Sequence, residues 1–476
     1  MKTLVRIAVA GALTVAVLAA IYAIMLRAPE QAAFSGVIFS SREPVDVRSV
    51  AVRNESGSFH FFFDPEEGGY VVDDIPPFIV DIDYFIGFMT NSARIAAVRR
   101  IPLTDENLRN FGLDDPAAEV EIEFFDGEIL RIGIGGVERV SGNFYAIVEG
   151  FDGVYVIPQG IARQFTLPKS QVISRFVTPQ LAVTSPLSAI RDITFTGGSL
   201  ERPVTIHATA GAVEEIAQAA KSFGATTHIV RGGATYQLDQ SYGIQILGSL
   251  FAIPAVDILG YDLSDEAIAS FGFAEPYMAV DYDMINGRDA ELVRMQLRVV
   301  QAGDGMFHAT LLGSGVVYLI DRVEFLDIEY ERLLLRWFLT PLLMDLASVT
   351  LVFPDRTYRL DIDSADPLNI TVAHGGRMLD MELFHAFFRL ITSAAHDGAY
   401  LGTLDRPGVQ PLLAIIYEYT DGSKPPDVME LHHGGVRRAN VFVNGAGEFA
   451  MRDTFIQRTS EGIANLLSGS PIEENW

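Results

Sequence analysis

Strict alternation of apolar and acidic residues distinguishes the segment around residue 120. Val120, Ile122 and Phe124 are separated by the glutamates at positions 119, 121 and 123. Because successive side chains of a strand point to opposite faces, this pattern predicts an antiparallel strand with one buried and one solvated face. Asp126-Gly127 follows, and this pair is typical of a tight hairpin turn. Further strands of the same meander are predicted at 129–134, 144–148 and 154–157.

Helical periodicity is found ahead of these strands. Amphipathic helices are predicted at 82–92, 242–253 and 381–393, the last with an apolar stripe that core packing explains better than a cofactor groove. Two short helices are predicted from the residues at their ends. Thr104 and Ser264 stand at N-cap positions, and Gly112 and Gly272 can take the left-handed conformation that stops a helix.

One segment of the chain is duplicated. Residues 103–127 recur without a gap as residues 263–287, 160 positions later (263 − 103), with Pro116 repeated as Pro276. A looser third copy spans 404–422. Self-similarity of this length indicates repeated small domains rather than a solenoid.

The sequence therefore predicts an α+β fold in which an N-terminal transmembrane helix precedes tandem repeated modules. Each module is expected to be an antiparallel β-meander with helices packed on one face. The stretch 333–346 is interpreted as a buried helix followed by a strand. The predicted divisions are a cytoplasmic tip and anchor at 1–28, a linker at 29–45, and modules at 46–180, 181–345 and, in divergent form, 346–470.

The first residues indicate a membrane anchor. Twenty residues without charge, Ile7 to Leu26, match the length of a helix that crosses a bilayer. Lys2 and Arg6 precede them, which favours an amino terminus inside the cell. We therefore predict a single-pass protein of the cell (inner or cytoplasmic) membrane, with the bulk of the chain extracytoplasmic. A cleaved signal peptide, with Ala19-Ala20 and Ala23 as possible cleavage positions, is the alternative.

Composition excludes several classes of function. The chain has no cysteine, so lipoprotein anchors, disulfide frameworks, thiolate metal sites and thiol nucleophiles are ruled out. The net charge of −26 argues against nucleic-acid binding, which needs a basic surface, and against lying flat on an anionic bilayer. A solvated acidic surface is the ordinary interpretation of this charge, and a cationic partner is the more specific one.

Acidic clusters give no convincing metal site. Asp281 and Asp283 with Asn286-Gly287 suggest the start of a calcium loop, but the glycine is seventh rather than sixth. The other clusters are explained by a strand with one solvated side and by helix capping. These clusters are Asp361, Asp363 and Asp366, and Asp81 with Asp83.

Other motifs fail on spacing. His432 and His433 should point to opposite faces of a strand, and His385 and His396 are too far apart for a zinc helix. Gly133 to Gly136 lacks the spacing of a nucleotide loop and is interpreted as a hairpin turn. Ser314 lacks the glycine spacing of a nucleophile elbow. We therefore predict no catalytic, cofactor-binding or metal-binding residues and no cofactor.

The order of motifs in the first module is similar to that of a known group. The N-terminal span, the capped helix ending at Pro116, the strand with Asp126-Gly127, Gly133-Ile-Gly135 and Val154-Tyr-Val-Ile157 together resemble the bacterial family catalogued as domain of unknown function 4340. The resemblance covers about 46–180, and parts of 263–341 and 404–451. It implies a membrane-anchored protein, in some members an accessory of an ABC-type transport system, and no catalytic residues.

Two classes of function follow. The first is a non-enzymatic binding or interaction protein, with the lipid bilayer bound through residues 7–26 and a protein partner in or at the membrane. The alternatives are an envelope hydrolase that uses acidic residues at module junctions, or a released solute-binding protein. Differences between the modules and the surfaces between them are where function is expected.

Overall fold

The computed structural model describes residues 36–65, 69–73, 75–76, 79–180, 185–286 and 291–476. The predicted anchor at 7–26 and the first part of the predicted linker lie outside these residues, as does Gly287. None of the helices in the described ranges is long and apolar enough to span a membrane. The chain forms two compact units, one ending at Ser174 and the other beginning at Arg175.

The first unit contains one large antiparallel sheet, the first sheet, with the order β4-β3-β2-β7-β8-β9-β10-β6. A small pair, β1 and β5, stands beside it. The strands are β1 (Val37–Ile38), β2 (Val47–Asn54), β3 (Gly57–Asp64), β4 (Gly69–Val72), β5 (Ala96–Ala97), β6 (Arg99–Pro102), β7 (Ala118–Phe124), β8 (Ile129–Val137), β9 (Phe144–Val148) and β10 (Gly153–Ile157). The helices are α1 (Ile82–Ala93), α2 (Asp105–Asn110) and α3 (Gln159–Ala162), with 3₁₀ turns at Pro44–Asp46, Arg163–Thr166 and Lys169–Val172.

The second unit contains a second and a third antiparallel sheet, ordered β14-β13-β12-β11-β16-β17-β18-β19-β15 and β23-β22-β21-β20-β24-β25-β26-β27. The strands of the second sheet are β11 (Ile190–Gly197), β12 (Val204–Ala208), β13 (His228–Arg231), β14 (Thr235–Gln237), β15 (Ala255–Gly260), β16 (Met278–Asn286), β17 (Glu291–Gly303), β18 (Met306–Leu311) and β19 (Val317–Ile320). Those of the third are β20 (Leu346–Val352), β21 (Thr357–Asp363), β22 (Thr371–His374), β23 (Arg377–Met378), β24 (Leu413–Tyr419), β25 (Asp427–His433), β26 (Arg438–Val443) and β27 (Ala446–Arg452).

Helices of the second unit are mostly short. They are α4 (Pro186–Ala189), α5 (Glu214–Ala220), α6 (Gln240–Gly248), α7 (Asp265–Ala269), α8 (Tyr330–Leu333), α9 (Met381–Thr392) and α10 (Thr454–Ser468), with 3₁₀ turns at Lys221–Phe223, Glu324–Asp327 and Leu343–Asp345. Mixed α+β content with antiparallel sheets is thus confirmed.

The alternation that predicted β7 is present in the structure. Val120, Ile122 and Phe124 are buried, while Glu119 and Glu121 are exposed. On the buried face, α1 packs Phe88 against Phe61 with ring centroids 4.4 Å apart. This face forms the core of the first unit.

The expectation that helices cover one face is wrong. Whereas α1 lies on the core face, α2 lies on the opposite, outer face of the first sheet, where Phe111 stacks on Tyr145 at 4.0 Å. Glycines in β8 allow this approach. The backbone carbonyl of Phe111 comes so near that a Cβ on Gly135 would be 2.4 Å from its oxygen.

The ends of the short helices are as predicted. Thr104 Oγ1 accepts a hydrogen bond from the amide of Asn107 at 3.1 Å, and Ser264 Oγ accepts one from Ala267 at 3.3 Å. Gly112 has a φ of +65°, which a residue with a Cβ rarely adopts. These residues therefore shape the backbone.

Residues 333–346 do not contain the expected helix. α8 ends at Leu333, and the amides of Leu335 and Phe338 donate instead to the carbonyls of Gln237 and Ala394. Leu333, Leu334, Phe338 and Leu339 are buried, whereas Trp337, Leu342 and Met344 are exposed, and the hydrogen bonds to other segments leave no helical ladder. β20 begins only at Leu346, the last residue of this stretch, so the predicted strand lies after it.

We expect Gly135→Ala to destabilise the first unit by roughly 2 kcal/mol, because the new methyl group would overlap the Phe111 carbonyl. Gly87→Ala is the matched control. Gly87 lies in α1 with nothing within 4 Å of a Cβ, so alanine should stabilise the helix by about 0.5 kcal/mol. Hydrogen exchange of peptides from β7 and β8 measures both effects, and equal protection in the two variants would contradict the assignment.

Candidate functional site

The outer face of the first sheet carries an open cleft of about 900 Å³. Its floor is formed by Ala51, Gly133 and Ile147 from three strands of the sheet. One wall is formed by Leu103 and Leu108 of the α2 segment. We call this the sheet-1 cleft. Its α2 side is apolar, while Glu119 and Glu121 of β7 lie between Ala51 and Gly133 on the floor.

The outer faces of the first and second sheets differ in their side chains at this cleft. Gly133 pairs with Glu119 across β7 and β8. In the second sheet the residue 160 positions after Glu119 is Ala279, and it pairs with Arg298. The Arg298 side chain, 15% exposed, fills that position and binds Asp281 at 2.6 Å. Where the second sheet has a guanidinium group, the first sheet has no side chain at all.

Ion pairs surround the floor of the sheet-1 cleft. Arg131 donates to Glu121 at 2.7 Å and to Glu149 at 3.1 Å, and these bonds raise the pKa of Arg131. Arg53 is 3.7 Å from Glu119. Of the charged residues that line the cleft in the described part of the chain, two are arginines and four are acidic, including Asp73. The cleft is therefore acidic on balance.

The acidic clusters noted in the sequence are engaged locally. Asp281 and Asp283 lie on the solvated side of β16 and bind Arg298 and Arg294. Asp361 binds Arg359 at 2.8 Å, and Asp81 caps α1 by accepting from the amide of Tyr84. Asp363 accepts from the amide of Ala365, and Asp366 binds Asn369 at 2.6 Å. Within the described residues, no group of three or more His, Asp or Glu side chains could hold a metal ion.

The histidines are also separated. His432 is buried and His433 is exposed, so the two point to opposite faces of β25 as predicted. His385 is exposed on α9, whereas His396 is buried and stacks on Phe449 at 4.2 Å. Burial, together with the charge of Arg336, lowers the pKa of His396 to about 4.

Two further sequence motifs have structural roles. Ser314 is buried in a turn, where its Oγ accepts from the amide of Val316 at 3.2 Å. Gly133 to Gly136 lies inside β8, so its interpretation as a hairpin turn is wrong. The glycines serve close packing, because a Cβ on Gly133 would be 3.0 Å from Ile147 Cγ1 and 3.2 Å from Pro116 Cγ.

A second cleft, of about 710 Å³, lies within the second unit between the second and third sheets. We call it the junction cleft. Its deep end holds a charged cluster that the sequence reasoning missed. Lys424 Nζ donates to Ser222 Oγ at 3.0 Å and to Asp427 at 3.2 Å, and Asp427 also accepts from Tyr419 at 2.5 Å and from Asn444 at 2.9 Å.

This cluster fixes the third sheet to the second. The side chains of Lys424 and Asp427 are 4% and 3% exposed, and charges so deeply buried are tolerated only when paired and hydrogen-bonded. Burial raises the pKa of Tyr419, and the neighbouring Asp427 raises it further, so the hydroxyl remains a donor. One signal was present in the sequence: Lys424 is one of only four lysines in a chain with 35 basic residues.

A second buried acid, Glu448, lies at the same junction. Its side chain is 1% exposed and is 2.8 Å from Arg202, while Tyr330 donates to it at 3.0 Å. The amide of Ala234 donates at 3.3 Å. Glu448 comes from β27 and its partners come from the part of the chain around the second sheet, so this contact also joins the two sheets.

The mouth of the junction cleft carries two ion pairs. Arg406 binds Glu430 through two hydrogen bonds of 2.6 and 2.7 Å, and this contact lowers the pKa of Glu430. Arg231 binds Glu215 at 2.7 Å. The junction thus gathers acids from both sides, as a hydrolase would require. A general acid needs a raised pKa, however, and that of Glu430 moves in the opposite direction.

Comparison with known families identifies part of the chain. Residues 87–222 match the model of the family described as Domain of unknown function (DUF4340), which confirms the resemblance for this segment. The match begins in α1, includes α2 and β7 to β10, and continues past Ser174 into the second unit. It therefore includes the α2 wall of the sheet-1 cleft. The comparisons with curated proteins and with solved structures gave no match.

We expect the second unit to lose stability as the pH falls from 6.5 to 4. His396 has an ordinary pKa of 6.5 when unfolded and about 4 when folded, so the unfolded chain takes up the proton first. The loss at pH 4 should be about 3 kcal/mol. His396→Phe retains the stacking but cannot titrate, so its stability relative to the natural protein should rise by that amount between pH 8 and pH 4.

Urea denaturation followed by tryptophan fluorescence measures this difference, because Trp337 and Trp476 both lie in the second unit. At pH 8 the comparison isolates the cost of the substitution itself, including the lost acceptor for the amide of Gly398. A constant difference between the two proteins from pH 8 to pH 4 would show that burial of His396 does not control the acid sensitivity.

Proposed function

We propose that this protein is a non-enzymatic binding protein, held at a membrane by residues 7–26, that binds a basic extended segment of a partner protein in the sheet-1 cleft. The observation that carries the proposal is the open cleft on the outer face, with Ala51 on its floor and Leu103 and Leu108 on its wall. The second sheet has Thr194 at the position that corresponds to Ala51, and Arg298 at the position that corresponds to Gly133. The two sheets therefore differ in their outer-face side chains at these positions.

The shape of the sheet-1 cleft supports an extended occupant. Its lining comes from neighbouring strands β3, β2, β7, β8 and β9. With strands about 4.8 Å apart, these five span roughly 20 Å. An extended chain covers that distance with about six residues, at about 3.3 Å per residue. The open outer face leaves both ends of such a segment free to continue into a folded partner.

The charge of the sheet-1 cleft supports a basic occupant. Arg131 is already bound by Glu121 and Glu149, whereas Asp73 is 3.9 Å from His60, beyond hydrogen-bonding distance. Lysine or arginine side chains of a ligand would meet this acidic excess at the rim, while small apolar residues would contact the floor. The net charge of −26 would also speed the approach of a cationic partner.

Shared geometry supports the further inference that the modules arose by tandem duplication. The strand that opens each sheet pairs with the strand that begins the following meander: β2 with β7, β11 with β16 and β20 with β24. Each pair has a register shift at its start, at Val47/Ser49, Ile190/Asp192 and Leu346/Ser348. A bulge repeated at one position is a feature that related folds retain.

The resemblance to the family adds an accessory role at an ABC-type transport system as the setting for such a partner. A hydrolase that uses junction acids is the weaker alternative, because Asp427 and Glu430 are each bound by a cation. A released solute-binding protein requires cleavage near Ala20 or Ala23.

The tether is tested on the native host's membranes. We expect the full-length protein to stay in the membrane pellet after carbonate extraction, with an amino-terminal sequence that starts before residue 7. A soluble form whose sequence starts just after Ala20 or Ala23 would contradict the tether and show that the protein is released.

The binding proposal is tested with a labelled peptide of eight residues that alternates lysine and leucine, capped at both ends. Fluorescence anisotropy with the full-length protein should show binding that weakens as salt increases, because the attraction is partly ionic. The matched peptide of alternating glutamate and leucine should not bind. Equal binding of the two peptides, or no binding of either, would contradict the proposal.

Ala51→Tyr should reduce the affinity for the lysine peptide at least tenfold, because the ring would occupy the cleft floor. Thr194→Tyr is the matched control, since residue 194 pairs with Asp281 as residue 51 pairs with Glu121. Tyrosine is well accepted on a strand, so both variants should fold. Loss of affinity in both variants, or in neither, would place the peptide elsewhere.

A further inference from the structure

We infer that the junction cleft of the second unit is a binding site for a zwitterionic small molecule of the size of a short peptide, with a carboxylate at one end and an ammonium group at the other. This site is separate from the sheet-1 cleft and does not depend on the function proposed for it. The two ion pairs at its mouth carry the inference.

The first pair presents a positive charge. Arg406 is 54% exposed, and its partner Glu430 is 10% exposed. Glu430 holds the guanidinium through Nε and Nη2, so the Nη1 group is outside this bidentate contact. A guanidinium has five N–H donors in a fixed plane, which suits a second carboxylate. Glu430 therefore positions Arg406 to receive the carboxylate of a ligand.

The second pair presents a negative charge. Here the arginine is the more buried member: Arg231 is 29% exposed, and its partner Glu215 is 77% exposed. Arg231 Nη1 binds one carboxylate oxygen, Oε1, at 2.7 Å. The arrangement is the reverse of the first pair, because the cation now positions the anion. Glu215 is placed to receive an ammonium group.

The exposed member is a cation in one pair and an anion in the other, and this difference selects the class of ligand. Among the described residues that line the junction cleft, three side chains are cationic and three are anionic, so a singly charged ligand gains no general attraction. The deep pair of Lys424 and Asp427 is satisfied by its own neighbours. Only a molecule that carries both charges can bind both Arg406 and Glu215.

The remaining lining and the size of the junction cleft suit a short peptide. Apolar groups lie among the charged ones, including Phe223, Leu339 and Val443. The volume of about 710 Å³ is within the range of small-ligand sites, roughly 300 to 1,000 Å³. Side chains of modest size would contact these apolar groups while the termini bind the two pairs.

The test uses trialanine and two capped forms of it with the full-length protein. Trialanine carries both charges, N-acetyl-trialanine only the carboxylate, and trialanine amide only the ammonium group. Isothermal titration calorimetry should show binding of trialanine at least tenfold tighter than that of either capped form. Equal affinity for the three peptides, or no binding of trialanine, would overturn the inference.

Substitutions assign each end of the ligand. Arg406→Gln should remove the advantage of the free carboxylate, so that trialanine and its amide bind equally. Glu215→Gln should remove the advantage of the free amine. Arg458→Gln changes an exposed ion pair on α10, outside the junction cleft, and should leave all three affinities unchanged. Circular dichroism confirms folding, and the same preference for trialanine in the Arg406 and Glu215 variants as in the natural protein would overturn the assignment.

Discussion

The two-residue period of the strands is the constraint on which the rest of the structure depends. It commits every second side chain of each sheet to a core and leaves the intervening positions to the outer face. In β7 this division places Ile122 in the core and Glu121 on the outer face. Ion pairs such as Glu121 with Arg131 then occupy the part of the outer face that the α2 segment does not cover. Both clefts arise where this regular division is modified locally.

In the first sheet the modification is the loss of side chains from the outer face. Gly133 and Ala51 replace groups that the second sheet fills with Arg298 and Thr194, and α2 comes close to β8 because Gly135 has no Cβ. Gly135 therefore accounts for the close packing of the α2 segment, while Ile147 and Pro116 pack over Gly133. In the second unit the opposite occurs. Charged groups such as Lys424 lie in the interface between two sheets, where they are paired with groups of opposite charge.

Local patterns predicted local structure well. Thr104, Ser264, Gly112 and Gly272 shape the ends of helices as expected, because capping and positive φ depend on a few adjacent residues. Prediction was wrong where hydrogen-bond partners are distant in sequence. Residues 333–346 look helical by composition but bond to Gln237 and Ala394, and Gly133 to Gly136 looks like a turn but lies in a strand. The side of the sheet on which α2 lies was also decided by contacts that sequence spacing does not encode.

The sequence by itself determined the alternation of the strands, the helix ends, the acidic balance and the resemblance that the family match over 87–222 confirms. These properties follow from residue order and from neighbours a few positions apart. Only the tertiary structure decided which acids remain exposed, such as Glu215, and which are buried and paired, such as Asp427. It also decided that Ile147 and Pro116 pack over Gly133 beside the sheet-1 cleft. The physical reason is that burial and pairing depend on groups brought together from segments hundreds of residues apart, and a single sequence does not specify that proximity.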